Sequence, residues 1–380
     1  MPNHFSVQKS YAHTVKIGFL VNPIAGMGGA VGLKGTDGES IQREALERGA
    51  RMVSPNRARE ALARIKESKL QFDFVTCSGE MGQQELDSEG LAYQVVYNAP
   101  AKTTRSDTLA ATREFQRHNV DLIMFAGGDG TARDIFEIAG TKTAILGIPT
   151  GVKMHSGVFA LTPQHVRDLL ETFQRTGATR EAEVMDIDEK CFRKGVVRAR
   201  LYGIARVPDD AEALQASKQS YGSGTSDEEA DEIGQYIADT MQNDIAYILG
   251  PGSTTMRIAE ALGQKKTLLG VDVYLNKRLL LEDAPESQLL GLLDRQPDSR
   301  IVVSPIGAQG FFLGRGNQQI SPAVVRRVGI NKIEIVATPT KLRSTPQLRV
   351  DTGDRELDAS FVGTAKVVTG YRRKRIVTIR

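Results

Sequence analysis

Residues 121–131 read DLIMFAGGDGT, and this stretch decides the predicted fold. Its apolar half, which ends at Phe125, has the length and composition of a buried β-strand. Two glycines, Asp129 and a third glycine follow. The pattern then becomes that of a helix, which ends near Gly140. The stretch therefore predicts a strand, a tight polar turn and a helix.

This turn has the chemistry of an anion site. Glycines allow a close backbone approach to a ligand, and the first turn of the next helix presents unpaired N–H groups and a positive dipole end. Phosphate is the obvious anion. An aspartate in the same turn would repel phosphate unless Asp129 binds Mg²⁺ or accepts a proton from an attacking hydroxyl, and both roles belong to phosphoryl transfer. The alternative is that Asp129 only caps the helix and the glycines form an ordinary turn.

The motif GGDGT at residues 127–131 resembles the signature shared by NAD kinases, diacylglycerol and sphingosine kinases and 6-phosphofructokinases. Within that superfamily the chain is most similar to the ATP-NAD kinase group related to acetoin-catabolism X proteins. Further stretches that carry this resemblance are residues 22–38, 147–156, 250–255 and 304–319. The resemblance implies that Asp129 is catalytic or binds Mg²⁺. It also implies that the rest of the motif binds phosphate, namely Gly127, Gly128, Gly130 and Thr131.

A glycine-rich loop follows the first predicted strand, residues 16–23. Six glycines between Gly26 and Gly38 disfavour a helix, so the sequence predicts a loop shaped for close backbone approach. A flexible surface loop is the alternative. The resemblance to diacylglycerol-type kinases places Asn22, Gly26 and Gly28 against the nucleotide phosphates.

Two other predicted strands also end in polar loops. Thr103 and Thr104 can cap the following helix, or contact phosphate as in the lipid-kinase branch. The loop after residues 144–149 resembles the Gly-Ile-Asn-x-Gly loop of NAD kinases, with Thr150 in place of asparagine. There Gly151 and Lys153 are candidates for phosphate binding and His155 for a ribose or phosphate contact. Lys153 and His155 can equally be surface residues.

The C-terminal half carries a further candidate anion site. Gly252, Ser253 and Thr254 open a predicted helix, and this segment resembles a sugar-phosphate isomerase loop more than the mostly β second domain of NAD kinases. Residues 305–319 are too rich in glycine and polar residues to predict a core element. Arg315 and Asn317 within them are candidates for binding a phosphate or a ribose.

The order of the elements predicts an α/β protein. We expect an N-terminal tail (1–14), a parallel-sheet nucleotide-binding domain similar to NAD kinase and phosphofructokinase (15–180), a second α/β domain (181–345) and C-terminal strands that can pack back across the domains (346–380). With 380 residues, the chain is long enough for two cores. The active site is expected in the cleft between the domains.

The composition narrows the class of protein. A net charge of +3 is close to balanced, so neither a nucleic acid nor a membrane surface is expected as a partner. The basic run 372–375 indicates the charged exposed end or edge of a strand better than a nucleic-acid site. Cys77 and Cys191 are far apart, which predicts neither a disulfide framework nor a zinc site. With no signal-peptide pattern or long apolar segment, we expect a cytoplasmic protein. We also expect a homo-oligomer.

The sequence thus leads to one main hypothesis of function. It is an ATP-dependent kinase resembling NAD kinase, which phosphorylates the ribose hydroxyl of NAD to give NADP with Mg²⁺ as cofactor. Two alternatives remain open. One is a kinase for another small hydroxyl-bearing metabolite or a lipid, and the other is a non-catalytic regulator that binds nucleotide.

Overall fold

The computed structural model describes residues 14–33, 39–68, 70–150, 154–187, 199–210, 214, 225–305 and 310–380. These described residues form two compact units. The first contains those up to Met27 and those from Arg51 to Leu214. The second contains those from Gly28 to Ala50 and those from Thr225 onward. Parts of the glycine-rich loop after the first strand therefore belong to different units.

The first unit is built on a parallel sheet. In the part of the chain that the structure describes, this sheet has five strands in the order β3-β2-β1-β4-β5. Its strands are β1 (Lys16–Val21), β2 (Asp73–Cys77), β3 (Tyr93–Tyr97), β4 (Leu122–Gly127) and β5 (Ala144–Pro149). The helices of the N-terminal half are α1 (Glu39–Glu47), α2 (Ser54–Glu67), α3 (Gln83–Glu89), α4 (Arg105–Arg117), α5 (Asp129–Ala139) and α6 (His165–Thr176). This arrangement confirms the predicted parallel α/β sheet.

The core of this unit explains why its strands read as continuous apolar runs. Every residue of β4 and β5 is buried, because helices cover both faces of a parallel sheet. Phe125 of β4 packs edge to face against Phe159, with ring centroids 5.5 Å apart. Val21 pairs with Ala126, and Gly127 with Pro149, so the carboxyl ends of β1, β4 and β5 meet at one edge. Ligands bind at this edge in open α/β sheets.

An antiparallel strand pair also belongs to the first unit. It consists of β6 (Thr179–Ile187) and β7 (Ala199–Pro208). A Cβ on Gly203 of β7 would lie 2.2 Å from the ring of Phe136, so glycine lets the pair pack closely on α5. The pair thereby covers the helix that follows the GGDGT turn.

The second unit contains a mixed sheet. Counted over the described residues, it has nine strands in the order β10-β9-β8-β11-β13-β15-β16-β14-β12. Its strands are β8 (Ala246–Leu249), β9 (Asp272–Leu275), β10 (Arg278–Leu281), β11 (Ser299–Val303), β12 (Phe311–Leu313), β13 (Ile333–Val336), β14 (Gln347–Val350), β15 (Gly363–Gly370) and β16 (Arg373–Ile379). Its later helices are α7 (Thr225–Thr240), α8 (Ser253–Ala261), α9 (Glu286–Arg295), α10 (Pro322–Val328), α11 (Pro339–Ser344) and α12 (Arg355–Phe361). The C-terminal strands are thus members of this sheet, where β15 pairs with β13.

Two sequence predictions can be judged in this sheet. The expectation that residues 305–319 hold no core element was wrong, because Phe311–Leu313 is a buried strand paired with β14. The basic run 372–375 is exposed at the start of β16, as expected. Arg373 pairs there with Glu232, and Lys374 lies 3.1 Å from Glu334.

A helix that crosses a membrane needs about 20 predominantly apolar residues. None of those in the described ranges is long and apolar enough to cross a bilayer. Cys77 is buried in β2, whereas Cys191 lies outside the described residues.

Candidate functional site

The carboxylate of Asp129 is held by the segment that follows β5. Asp129 is the first residue of α5 and is only 8% exposed. Its Oδ2 accepts a hydrogen bond from the backbone N–H of His155 at 2.8 Å, and its Oδ1 accepts one from that of Ser156 at 2.9 Å. The cap of α5 is Gly128, which has no side chain to contribute. The alternative that Asp129 merely caps its own helix is therefore wrong.

The segment that Asp129 holds, residues 155–158, is also hydrogen-bonded to β5 and β6. Ser156 Oγ accepts the backbone N–H of Met185 at 2.9 Å, and the N–H of Gly157 donates to the carbonyl of Glu183 at 2.8 Å. The carbonyl of Val158 accepts the N–H of Gly147 at 2.9 Å. The segment thus bridges β5 and β6, and Asp129 sits in a fixed position between this segment and the GGDGT turn.

Asn22 and Thr131 join the end of β1 to the start of α5. The backbone N–H of Asn22 donates to Ala126 at 2.9 Å, and its Nδ2 donates to Thr131 Oγ1 at 2.9 Å. A Cβ on Gly127 would lie 2.6 Å from that same Oγ1. Gly127 is therefore needed so that Thr131 can pack against the turn, and its predicted contact with phosphate stays a prediction.

The loop after β1 also touches the end of β5. Gly26 has a φ of +78°, and a Cβ there would lie 1.9 Å from the carbonyl oxygen of Thr150, so only glycine fits. Thr150 is buried, and its hydroxyl makes no hydrogen bond with any residue that the structure describes. Asn22, Gly26, the GGDGT turn and Thr150 are thus brought together at the carboxyl edge of the sheet.

Two glycines of the motif face open space. Apart from the neighbouring residues and the backbone of α5 itself, no atom of the described residues comes within 4 Å of a Cβ placed on Gly128 or on Gly130. Both lie at the N-terminus of α5, an 11-residue helix whose first N–H groups have no intrahelical partner. An anion can therefore approach this backbone closely.

The two threonines before α4 belong to the first unit. Thr104 caps α4, and its N–H and hydroxyl donate to Oδ2 of Asp107 at 2.7 and 2.8 Å. This is the capping role that the sequence left open. Thr103 is half-buried beside it.

The remaining predicted site residues divide between the second unit and the part of the chain that is not described. Gly28 accepts the N–H of Leu33 at 2.9 Å through its carbonyl. Gly252 caps α8 with a φ of +128°, and its N–H donates to Leu268 at 2.8 Å. Ser253 is exposed and Thr254 is buried. Gly151 and Lys153 lie outside the described residues.

Arg315 makes contacts that stabilise the second unit. Its Nε donates to Oδ2 of Asp351 at 2.9 Å, and its guanidinium lies 4.5 Å from the centre of the Phe311 ring. Both charged side chains are almost fully buried. Arg315 is thus paired with Asp351 inside the second unit, and a phosphate or ribose contact by the rest of its guanidinium stays a prediction.

Sequence reasoning missed the groups that hold Asp129 and an ion pair on the next helical turn. The donors from His155 and Ser156 are backbone N–H groups, which every non-proline residue carries, so no residue type could reveal them. Asp134, also on α5, accepts from Arg105 Nε at 2.8 Å and from Arg133 Nη2 at 3.0 Å.

Comparisons with known proteins agree with this geometry. The chain matches the model of the ATP-NAD kinase N-terminal domain over residues 17–178 and that of the ATP-NAD kinase C-terminal domain over residues 242–379. Comparisons with curated proteins and with solved structures found no match. The two matched ranges cover most of the chain and include both the GGDGT turn and the mixed sheet. The chain therefore belongs to the ATP-NAD kinase family and is a phosphotransferase of the kinase class.

Proposed function

We propose that this kinase transfers the γ-phosphoryl group of ATP to the ribose hydroxyl of NAD, giving NADP. One observation carries the proposal. Asp129 is held at the N-terminus of α5 beside Gly128 and Gly130, which leave open space, in a chain of the ATP-NAD kinase family. A fixed carboxylate next to an anion-binding helix end is the arrangement that phosphoryl transfer to an alcohol requires.

The turn supplies the phosphate contacts in this proposal. The first N–H groups of α5 and the positive end of its dipole attract the phosphate oxygens, and Gly128 and Gly130 let the backbone approach them. The Thr150 hydroxyl is buried at the same edge and is available to a ribose or phosphate oxygen. Gly151, Lys153 and the Gly252–Thr254 segment remain predicted contacts.

Asp129 acts as the general base. Each of its oxygens accepts one backbone N–H, and a carboxylate oxygen can accept a further hydrogen bond. Asp129 takes the proton of the acceptor hydroxyl while the hydroxyl oxygen forms a bond to the γ-phosphorus. The bond between that phosphorus and the bridging oxygen breaks, and ADP leaves with the electron pair.

Asp129 is also the residue that would hold Mg²⁺. Magnesium is usually held by one or two protein carboxylates together with substrate phosphates and water. Asp129 would hold the ion together with the nucleotide phosphates, and in the described residues no group of three or more His, Cys, Asp and Glu side chains is placed to hold a metal ion. Such an ion would neutralise the charge of the transferred phosphoryl group.

A coupled assay tests the proposal. Purified protein receives ATP, NAD and Mg²⁺, and a dehydrogenase that accepts only NADP reports the product. We expect NADP from the wild type and a loss of turnover of about a hundredfold or more in Asp129→Asn, with ATP affinity largely kept. Asp134→Asn is the matched control, since that carboxylate lies on the same helix but pairs with Arg105 and Arg133.

Other outcomes assign the protein to a different function. Tight ATP binding with no NADP from the wild type would reject NAD as acceptor, and a screen of sugars, nucleosides and lipids would follow. Tight binding with no phosphorylation of any of them would identify a nucleotide-binding regulator. A parallel loss of turnover and of ATP affinity in Asp129→Asn would show that Asp129 serves only to hold the segment after β5.

A further inference from the structure

The turn that follows β12 in the second unit is held rigidly. Gly314 and Gly316 have φ angles of +82° and +77°, and a Cβ on Gly314 would lie 1.8 Å from the carbonyl oxygen of Asp351. Between them, Arg315 is fixed by Asp351 and by the Phe311 ring. The turn therefore presents the next residues, Asn317 and Gln318, in defined positions.

Asn317 carries a buried acceptor that no described residue uses. The side chain is 1% exposed, and its Nδ2 donates to the carbonyl of Phe312 at 2.8 Å. This bond determines which end of the amide is the oxygen, because a carbonyl can only accept. Oδ1 is buried and accepts no hydrogen bond from the described residues. Leaving such an oxygen unpaired costs about 1–3 kcal/mol.

Gln318 repeats this feature at the next position. Its Oε1 is buried and likewise receives no hydrogen bond from the part of the chain that the structure describes. Buried amide oxygens are nearly always paired in folded proteins, so two successive exceptions need an explanation. A bound molecule that donates to both is the explanation that the chemistry favours.

The unpaired atoms are acceptors, which restricts the chemical class of the molecule that can bind to them. Amide oxygens need N–H or O–H donors, and an ionised phosphate has none. Of the phosphate and the ribose that the sequence suggested for this turn, the structure favours a group with hydroxyl or amino donors.

We propose that Asn317 and Gln318 accept hydrogen bonds from the hydroxyl or amino groups of a bound nucleoside. The choice of a nucleoside rests on the proposed function, since ATP and NAD both contain adenosine, which offers ribose hydroxyls and one amino group. The site belongs to the second unit.

Calorimetric titration of the full chain with adenosine tests this assignment, and tripolyphosphate serves as the anionic probe. Gln318→Met removes the amide but keeps the length of the side chain. We expect it to weaken adenosine binding by roughly fivefold to tenfold, to leave tripolyphosphate binding unchanged and not to lower Tm, because it removes an acceptor that the protein does not use. Gln235→Met is the matched control, since that amide lies on the exposed face of α7 and donates to Asp239.

Two analogues identify the donor in the wild type. Inosine lacks the amino group, and 2′,3′-dideoxyadenosine lacks both hydroxyls, so a weakened affinity for either one supports the site and names its donor. A second variant, Asn317→Leu, tests the neighbouring oxygen and is expected to weaken adenosine binding as well.

Several results would overturn the proposal. These are unchanged adenosine affinity in both variants, absence of adenosine binding by the wild type, or a parallel loss of Tm and of affinity for both probes in Gln318→Met. The NADP assay is independent of these titrations. A protein that makes NADP but shows unchanged adenosine binding in both variants would refute this site alone, and the reverse pattern would refute only the reaction.

Discussion

Ser156 donates its backbone N–H to Oδ1 of Asp129 at 2.9 Å, so the turn after β4 and the segment after β5 are joined through one carboxylate. His155 makes the equivalent bond to Oδ2. The residue proposed as the base is therefore also a structural connection at the carboxyl edge of the sheet. Catalytic and structural effects of changing it must be measured separately.

We expect Asp129→Asn to lower the free energy of unfolding by about 1.5–3 kcal/mol, because an amide offers one oxygen and places an NH₂ group against a backbone N–H. Urea denaturation of the full chain measures this change. Asp168→Asn is the control, since Asp168 is exposed on α6 beside Arg167 and should change stability by less than about 0.5 kcal/mol. Equal small losses in the two variants would show that the carboxylate does not hold the segment.

Alanine substitution should change the free energy of unfolding in opposite directions at two glycines of the motif. Gly127→Ala should destabilise the protein by about 1–3 kcal/mol, because the new Cβ overlaps Thr131. Gly130→Ala should keep or raise stability by about 0.5–1 kcal/mol, because alanine is the better helix residue and space is free there.

The same Gly130→Ala variant should bind ATP more weakly, since its methyl group occupies the space proposed for phosphate. Urea denaturation and calorimetric titration with ATP measure the two properties on one sample. An unchanged ATP affinity would place the phosphates elsewhere.

The sequence predicted the first sheet well for a physical reason. Strands such as β4 are buried on both faces and give long apolar runs, and glycines or polar turns separate them clearly. β12 was missed because three residues in a glycine-rich stretch are too few to show a period. Its burial depends on pairing with β14, which is more than 30 residues away. The membership of β15 and β16 in the mixed sheet depends on such distant pairings as well.

Residue identity likewise predicts only part of the candidate site. Asn22, Gly127 and Thr131 were predicted from the resemblance to known kinase motifs, and the structure brings them together. For Arg315 the residue type could not reveal the ion pair, because a buried guanidinium paired with Asp351 has the same letter as one that binds phosphate. The partners of Asp129 are backbone groups and leave no trace in residue identity.

Glu85 should make stability depend on pH. It is buried on α3, and burial raises the pKa of its carboxyl to about 7, while Arg59, 3.9 Å away, lowers it and Glu80 raises it. The folded chain binds this proton more tightly than the unfolded chain does. The contribution of Glu85 to the free energy of unfolding is therefore complete below pH 4.5 and is lost as the pH rises through about 7.

The variant Glu85→Gln should remove this dependence. Urea midpoints between pH 5 and pH 8 should show a variant that is more stable than the wild type at pH 8, with a difference that shrinks toward pH 5. Glu67→Gln, on the exposed face of α2, should show no such trend. A constant difference between Glu85→Gln and the wild type at every pH would contradict the raised pKa.

Lys266 and Asp272 form an ion pair in the second unit with both side chains 0% exposed. Lys266 Nζ donates to Asp272 Oδ2 at 3.2 Å and to the carbonyls of Thr267 and Gly270. We expect Lys266→Met to lower the free energy of unfolding by about 3–5 kcal/mol, because it leaves a buried carboxylate without its positive partner.

The exposed pair between Lys332 and Asp298 provides the control for this variant. Lys332→Met should cost no more than about 1 kcal/mol in the same urea experiment, because water screens that pair. The double variant Lys266→Met with Asp272→Asn should recover part of the loss, since it removes the unpaired charge while an amide oxygen still accepts from the Thr267 N–H. If the double variant is less stable than Lys266→Met alone, the hydrogen bonds of Asp272, rather than its charge, stabilise this part of the second unit.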